Sequence, residues 1–278
     1  MQSTGKKFSG KTLLVVGGAS GIGSDACVQA AQEGANIIFA DNGNPQKTLD
    51  RLKKFDVSIE FVATDVVKEA EVKNLFIRIK QKFGRLDAII NAAGVAGLLQ
   101  SLLDYDIEDF RHVLDVNLLG TVACCKHGAA LIEASGGGRI CNISSIAGET
   151  GFPLNPAYAA SKAAVISITK SLAADLAIRN TPVQVNSLCP GWTDTPFLDG
   201  MKSNPERMQG ILDSVPNGRL GESWEVAHAA LWMAMEAPWY LNGETIRVDG
   251  GLLSSSPTHI PMMREYLQKS ASSASPSA

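Results

Sequence analysis

Short, almost wholly apolar runs recur along the chain. They are separated by longer stretches in which apolar residues return every three or four positions. The runs lie at 12–16 (ThrLeuLeuValVal), 35–40, 58–63, 86–90, 138–145, 183–188 and 244–248. Runs this short and this uniformly apolar suit strands buried on both faces of a parallel sheet. The intervening pattern predicts helices ending near Gly34 and spanning 68–83, 107–134, 156–180 and 223–236; in the second, Val72, Leu75, Phe76 and Ile79 share one face. Regular alternation of strand and helix predicts a single doubly wound α/β domain over 1–252, a parallel sheet of about seven strands with helices on both faces. The stretch 192–221 reads as irregular and amphipathic, and such segments at the carboxyl ends of strands are commonly lids or binding loops. Residues 253–278 form an extension. A short helix fits within 257–269. Its Met262–Leu267 segment is expected to pack over a substrate cleft, the chain's own or a neighbouring subunit's, and the serine- and alanine-rich end is expected to be disordered.

Composition narrows the class. Of 278 residues, 45% are hydrophobic, enough for a substantial core, and the net charge of −3 offers no basic surface for nucleic acid. No apolar run is long enough to span a bilayer and no signal peptide is evident. The five cysteines show no paired spacing, which suits free thiols in a reducing compartment and a cytoplasmic protein. His112, His127, His228 and His259 lack ligand spacing, so no metal is expected, and Cys124-Cys125 reads as helix packing.

Candidate chemistry begins where the first run meets Gly17-Gly18-Ala19-Ser20-Gly21-Ile22-Gly23. Glycines at a strand-to-helix turn let the backbone approach a pyrophosphate, and the helix N-terminus supplies N–H donors; an ordinary tight turn would look the same. Asp41 closes the second run, about 20 residues on, where an acidic side chain suits an adenosine ribose. It would also repel a 2′-phosphate. Neither Ser20 nor Asn42 is basic, so NAD is expected over NADP; the alternative for Asp41 is a turn cap in AspAsnGlyAsnPro.

Tyr158 and Lys162 sit four apart on the predicted helix after Pro156, one turn apart on one face. A phenol with a reference pKa of about 10 is a poor acid or base near neutrality, and a neighbouring ammonium moves it toward the working range. Such pairs also arise by chance on solvated helices. Ser145 ends the fifth run, placed to present a hydroxyl to the same point. Asn117, polar within AspValAsnLeuLeuGly, reads equally as a satisfied core amide or a site residue.

Taken together, Gly17-x-x-x-Gly21-Ile22-Gly23, Asp65, Asn91-Ala-Ala-Gly94, Asn117, Ser145, Tyr158-x-x-x-Lys162, Pro190-Gly191 and Thr195 resemble the short-chain dehydrogenase/reductase family over about residues 8–252. The family's usual step of thirteen residues from serine to tyrosine selects Ser145 over Ser144. Val16 and Ala92 depart from the family's usual Thr and Asn. The resemblance implies a Rossmann-like fold, a nicotinamide cofactor and a homotetramer or homodimer. Hydride would pass between the nicotinamide and a secondary alcohol or ketone. In that implied scheme Tyr158 is the general acid/base, Ser145 binds the substrate oxygen, Lys162 also holds the nicotinamide ribose, and Asn117 holds a proton-relay water. Cofactor contacts are carried to Gly17, Ser20, Gly21, Ile22, Gly23, Asp41, Asp65, Val66, Asn91, Ala92, Gly94, Pro190, Gly191, Thr193 and Thr195. Ser145, Ala147, Phe152, Trp192 and Phe197 are the candidate substrate contacts; their apolar character points to a neutral, hydrophobic or cyclic substrate. An NADPH-dependent ketoreductase and a non-catalytic NAD-binding scaffold are the rival readings.

Overall fold

The computed structural model describes residues 6–254 and 259–273. Its first half runs β1 (Thr12–Val16), α1 (Gly21–Gln32), β2 (Asn36–Asp41), α2 (Gln46–Leu52), β3 (Ile59–Ala63), α3 (Glu69–Phe83), β4 (Ala88–Asn91), α4 (Ile107–Leu114) and α5 (Gly120–Ala134). The second half runs β5 (Gly138–Ile143), α6 (Pro156–Ile178), β6 (Val183–Pro190), β7 (Thr193–Asp194), α7 (Asp199–Lys202), α8 (Pro205–Ser214), β8 (Gly221–Glu222), α9 (Ser223–Met235), β9 (Thr245–Val248) and α10 (His259–Ser273). Seven strands form one all-parallel sheet in the order β3-β2-β1-β4-β5-β6-β9.

The apolar runs are strands because both sheet faces are covered. In β1, Leu13 and Val15 join a core with Ala26 and Ala30 of α1 and Ala230 of α9. Leu14 and Val16 point the other way, into a core with Leu75 of α3, Ile132 of α5 and Ala173 of α6. A side-chain period of two with both faces buried leaves no polar face to mark the alternation.

Three expected elements differ in detail. The helix read over 107–134 is broken by a π-helical turn at Asp115–Leu119. The hydroxyl of Thr121 bonds the carbonyl of Asn117 there, and α5 approaches so closely that a Cβ on Gly120 would meet Val66 at 2.7 Å. The segment 192–221, read as irregular, contains α7 and α8. Its two ends are joined by β7 and β8, which pair Thr193 with Gly221. Helix α2 follows the AspAsnGlyAsnPro turn, over 46–52, where the sequence reading offers no element.

The extension forms α10, which packs on α8 rather than lining the central cavity. Its Arg264 donates from Nη1 to the carbonyls of Leu212 and Asp213, and from Nη2 to those of Val215 and Pro216. A cation is favourable at a helix C-terminus, where backbone carbonyls lack partners. Met262, Met263, Tyr266 and Leu267 are exposed, and none borders the cavity. The helix carries the start of the serine-rich end as far as Ser273; the remainder of the stretch expected to be disordered, 274–278, lies outside the described residues. Among the described residues no helix is long and apolar enough to cross a membrane, and all five cysteines are unpaired and buried.

Candidate active site

In the sheet order, the chain leaves β1 in both directions, toward β2 on one side and β4 on the other. Ligands of open α/β sheets bind outside the carboxyl ends of the strands at such a switch point. A cavity of about 700 Å³ lies there.

Its floor is the glycine turn. Gly17 has φ +82°, and a Cβ on it would lie 2.5 Å from the backbone nitrogen of Ala93; a Cβ on Gly23 would lie 2.1 Å from the Gly17 carbonyl oxygen. Only glycine lets β1 turn into α1 this tightly against the loop after β4. Ser20, the N-cap of α1, makes no side-chain cap bond, so the first N–H groups of the helix are left for a ligand. These features fit the pyrophosphate of a dinucleotide. Asp41, at the end of β2, accepts from the N–H of Ala19 at 2.9 Å and of Gly43 at 2.8 Å. It therefore does cap a turn, yet it also borders the cavity beside Asn42. Each carboxylate oxygen can accept more than one hydrogen bond, so capping leaves room for a ribose.

Ser145, Tyr158 and Lys162 border the same cavity. Lys162 is buried on α6 and its Nζ donates to the carbonyl of Ile143 at 2.9 Å. Burial lowers the Lys162 pKa to about 8, because the ammonium loses hydration. Its Nζ lies 5.6 Å from the centre of the Tyr158 ring. Burial pushes the Tyr158 phenol up to about 12, opposed by a hydrogen bond with the Ser145 side chain. The two adjacent serines have different jobs. Ser144 spends its hydroxyl on the carbonyl of Lys162 at 2.7 Å, bracing α6, whereas Ser145 accepts from the N–H of Ala147 at 3.1 Å and reaches the phenol.

The arrangement supplies a proton donor and acceptor (the phenol), an oxygen ligand (Ser145) and a cation whose charge is held close to both. Gly94 makes room for it: a Cβ there would approach Asn117 Oδ1 to 3.2 Å and Lys162 Nζ to 3.3 Å.

Asn117 is fully buried and does not border the cavity. Its Oδ1 accepts from Val95 N at 2.8 Å, and its Nδ2 donates to Val95 O at 3.0 Å and Ser161 Oγ at 3.0 Å. It is a satisfied core amide, and what it ties down is the loop beside Lys162. Asn91 also stands back from the cavity, donating to Asn142 Oδ1 at 2.8 Å beneath the sheet's end. The carried-over cofactor positions Ile22, Asp65, Val66, Ala92, Pro190, Gly191, Thr193 and Thr195 all border the cavity.

Aromatic rings close the opposite end. Phe152 packs against Trp192 with ring centres 5.8 Å apart, and Tyr158 against Phe197 at 5.4 Å. Ala147 lies alongside. Sequence reasoning missed His112 as a cavity residue. His112 carried no signal, since α4 reaches the cavity only through the fold. Asn155, just ahead of Pro156, lies in the loop 146–156 that the sequence offers as a candidate wall of the substrate pocket, and it borders the cavity.

A parallel sheet with a dinucleotide turn at its switch point and a Ser, Tyr and Lys gathered beside it defines an oxidoreductase of the doubly wound class. A family model described as enoyl-(acyl carrier protein) reductase matches residues 17–253, and the chain belongs to the short-chain dehydrogenase/reductase family, whose members use nicotinamide cofactors. Cis-4-hydroxycyclohexanecarboxylate dehydrogenase of Sinomonas cyclohexanicum is 33% identical over 248 residues, covering 89% of this chain and 98% of the relative. Among solved structures, an NAD+-bound xylitol dehydrogenase superposes with a TM-score of 0.84 at 28% identity, covering 88% of this chain and 100% of its own. A putative 2-deoxy-D-gluconate 3-dehydrogenase from Agrobacterium tumefaciens with bound NADP gives 0.83 at 28%, covering 91% and 100%.

Proposed function

We propose that this chain transfers hydride between NAD and a secondary alcohol or ketone, with a neutral, hydrophobic or cyclic substrate. The observation that carries the reading is the convergence of Ser145, Tyr158 and Lys162 on the cavity whose floor is the glycine turn. A bound nicotinamide supplies the hydride acceptor or donor, which no side chain can be. Tyr158 takes the hydroxyl proton in oxidation and returns it in reduction. Ser145 hydrogen-bonds the substrate oxygen, and Lys162 stabilises the phenolate and holds the nicotinamide ribose. Thr193 and Thr195, on the lid's first strand and just after it, grip the nicotinamide carboxamide and the phosphates, and Asp65 faces the adenine. Asn117 acts here by holding the Gly94–Val95 loop against Lys162, and its Oδ1, which accepts one bond from Val95 N, keeps a lone pair for a proton-relay water.

NAD is favoured because the carboxylate of Asp41 stands on the cavity wall where a 2′-phosphate would sit, with no cation at Ser20 or Asn42 to offset it. Two like charges about 4 Å apart repel by roughly 1–4 kcal/mol at effective dielectrics of 80 to 20. NADH should therefore bind at least about tenfold more tightly than NADPH, and Asp41→Ser should narrow that gap, read by nucleotide fluorescence titration. Equal affinities in the unaltered protein would end the NAD assignment. A screen of secondary alcohols for NADH formation tests the reaction itself, and no turnover of any would sink it.

Exposed Leu119 at the end of the π-turn, Val122 on α5 and Ile178 at the end of α6 support a homotetramer or homodimer, and the location proposed from the unpaired cysteines is the cytoplasm. A single molecular mass near that of the 29.4 kDa chain in light scattering would overturn the assembly.

A further inference from the structure

The chain between β7 and β8 leaves the sheet and returns, and the pairing of Thr193 with Gly221 stitches its two ends together. The excursion is therefore a lid with a pivot at its base. On its outgoing leg Phe197, Leu198 and Met201 border the cavity, and the Phe197 ring lies over that of Tyr158 with centres 5.4 Å apart. Helix α7 packs on α8, none of whose residues borders the cavity. Lys202, at the end of α7, ties this leg to the pivot, meeting Asp194 at 2.6 Å and Asp199 at 2.9 Å.

The far side of the lid is held by the extension. Helix α8 ends at Ser214, and the carbonyls of a last helical turn have no partner within the helix. Arg264 of α10 collects the carbonyls of Leu212, Asp213, Val215 and Pro216, two on each terminal nitrogen, which spends all four of its terminal N–H groups. The Asp213 carboxylate adds a charge 3.8 Å away. Among the described side chains of α10 only Ile260 is buried, so apolar burial contributes little to this docking. Water could solvate the same carbonyls. What the guanidinium adds is a fixed position, because a rigid planar fork bonded to four backbone oxygens holds the end of α8 in one place.

We infer that Arg264 is a positioning residue for substrate binding: by fixing α8 it keeps the lid closed, with Phe197, Leu198 and Met201 over the bound alcohol or ketone. This rests on the oxidoreductase reading above. The extension then sets substrate affinity from outside the cavity. Ser145, Tyr158 and Lys162 lie outside the lid, so chemistry within a closed complex does not depend on the anchor. Apparent affinity does, since it falls with the fraction of molecules whose lid is closed.

The test replaces Arg264 by methionine, similar in reach but without a donor, in the full chain. KM for cyclohexanol at saturating NAD should rise about tenfold, equivalent to about 1.4 kcal/mol, while kcat and NADH affinity stay within about twofold. Trypsin gives a readout that needs no turnover. Cleavage after Lys202 and Arg207, both in the lid, should quicken about tenfold, with the melting temperature and cleavage elsewhere as in the parent. Arg264→Lys, which keeps a cation able to bond helix-end carbonyls, should fall between the two. Equal KM in parent and Arg264→Met, or unchanged cleavage after Lys202 and Arg207, overturns the inference. So does a variant whose kcat, NADH affinity and melting temperature all drop together, because that marks a general loss of folding. No NADH from cyclohexanol or any other alcohol of the screen is a different result: it removes the oxidoreductase reading, and the trypsin rates then decide whether Arg264 holds the lid.

Discussion

Tyr158→Phe should abolish turnover while leaving the cofactor bound. The substitution deletes one oxygen and keeps the ring that packs against Phe197, so the cavity wall survives. What is lost is the hydroxyl proposed to take and to return the substrate proton. General acid/base catalysis of this kind contributes about 10²–10⁴-fold. A drop of roughly 10³-fold in kcat corresponds to about 4 kcal/mol of barrier. Steady-state rates with a responsive alcohol, beside NADH affinity by fluorescence, form the check. Near-normal rates in the variant would remove Tyr158 from the mechanism.

Lys162→Met comes next in size and has a pH signature. Burial holds the phenol up near 12, far from useful, while Lys162 sits near 8. A protonated Lys162 beside the ring favours the phenolate; a methionine of similar length does not. The variant should lose about 10²-fold or more in kcat/KM for oxidation near neutrality, within the range of general-base effects. Its activity should also rise only at distinctly higher pH, because the phenol no longer has a cation to lower its pKa. A kcat/KM profile from pH 6 to 10.5 that superposes on the parent would refute the role.

The same substitution alters stability in a calculable direction. Lys162 falls from 10.5 unfolded to about 8 folded, so between those values the unfolded chain binds more protons. Stability from this group therefore rises with pH across that window. Tyr158, raised from 10.0 to about 12, acts in the opposite sense and only above about pH 10. Melting temperatures at pH 7.5 and 9.5 should show Lys162→Met relatively most favourable at the lower pH.

Much of this molecule was legible before any coordinates. The strands at 12–16, 183–188 and 244–248 announced themselves because a parallel sheet covered on both faces demands short, uniformly apolar runs. The glycine turn was legible because few residues other than glycine fit where Gly17 and Gly23 stand. The Tyr158–Lys162 pair followed from helical spacing alone, although its meaning needed the family resemblance.

The π-turn at Asp115–Leu119 was hidden, since the segment just after it packs closely at Gly120 against Val66, far away in the chain. The helices α7 and α8 were hidden because short, half-exposed helices carry little periodicity. Local spacing could name Tyr158 and Lys162, but it could not say that Asn117 spends its amide on Val95 or that Asn155 spends its oxygen on nothing. Sequence by itself determined the strand segments, the turn and the helical spacing of Tyr158 and Lys162, because each depends on residues near one another along the chain. Only the tertiary structure decided which polar groups are satisfied, because hydrogen-bond partners and burial come from segments that the fold alone brings together.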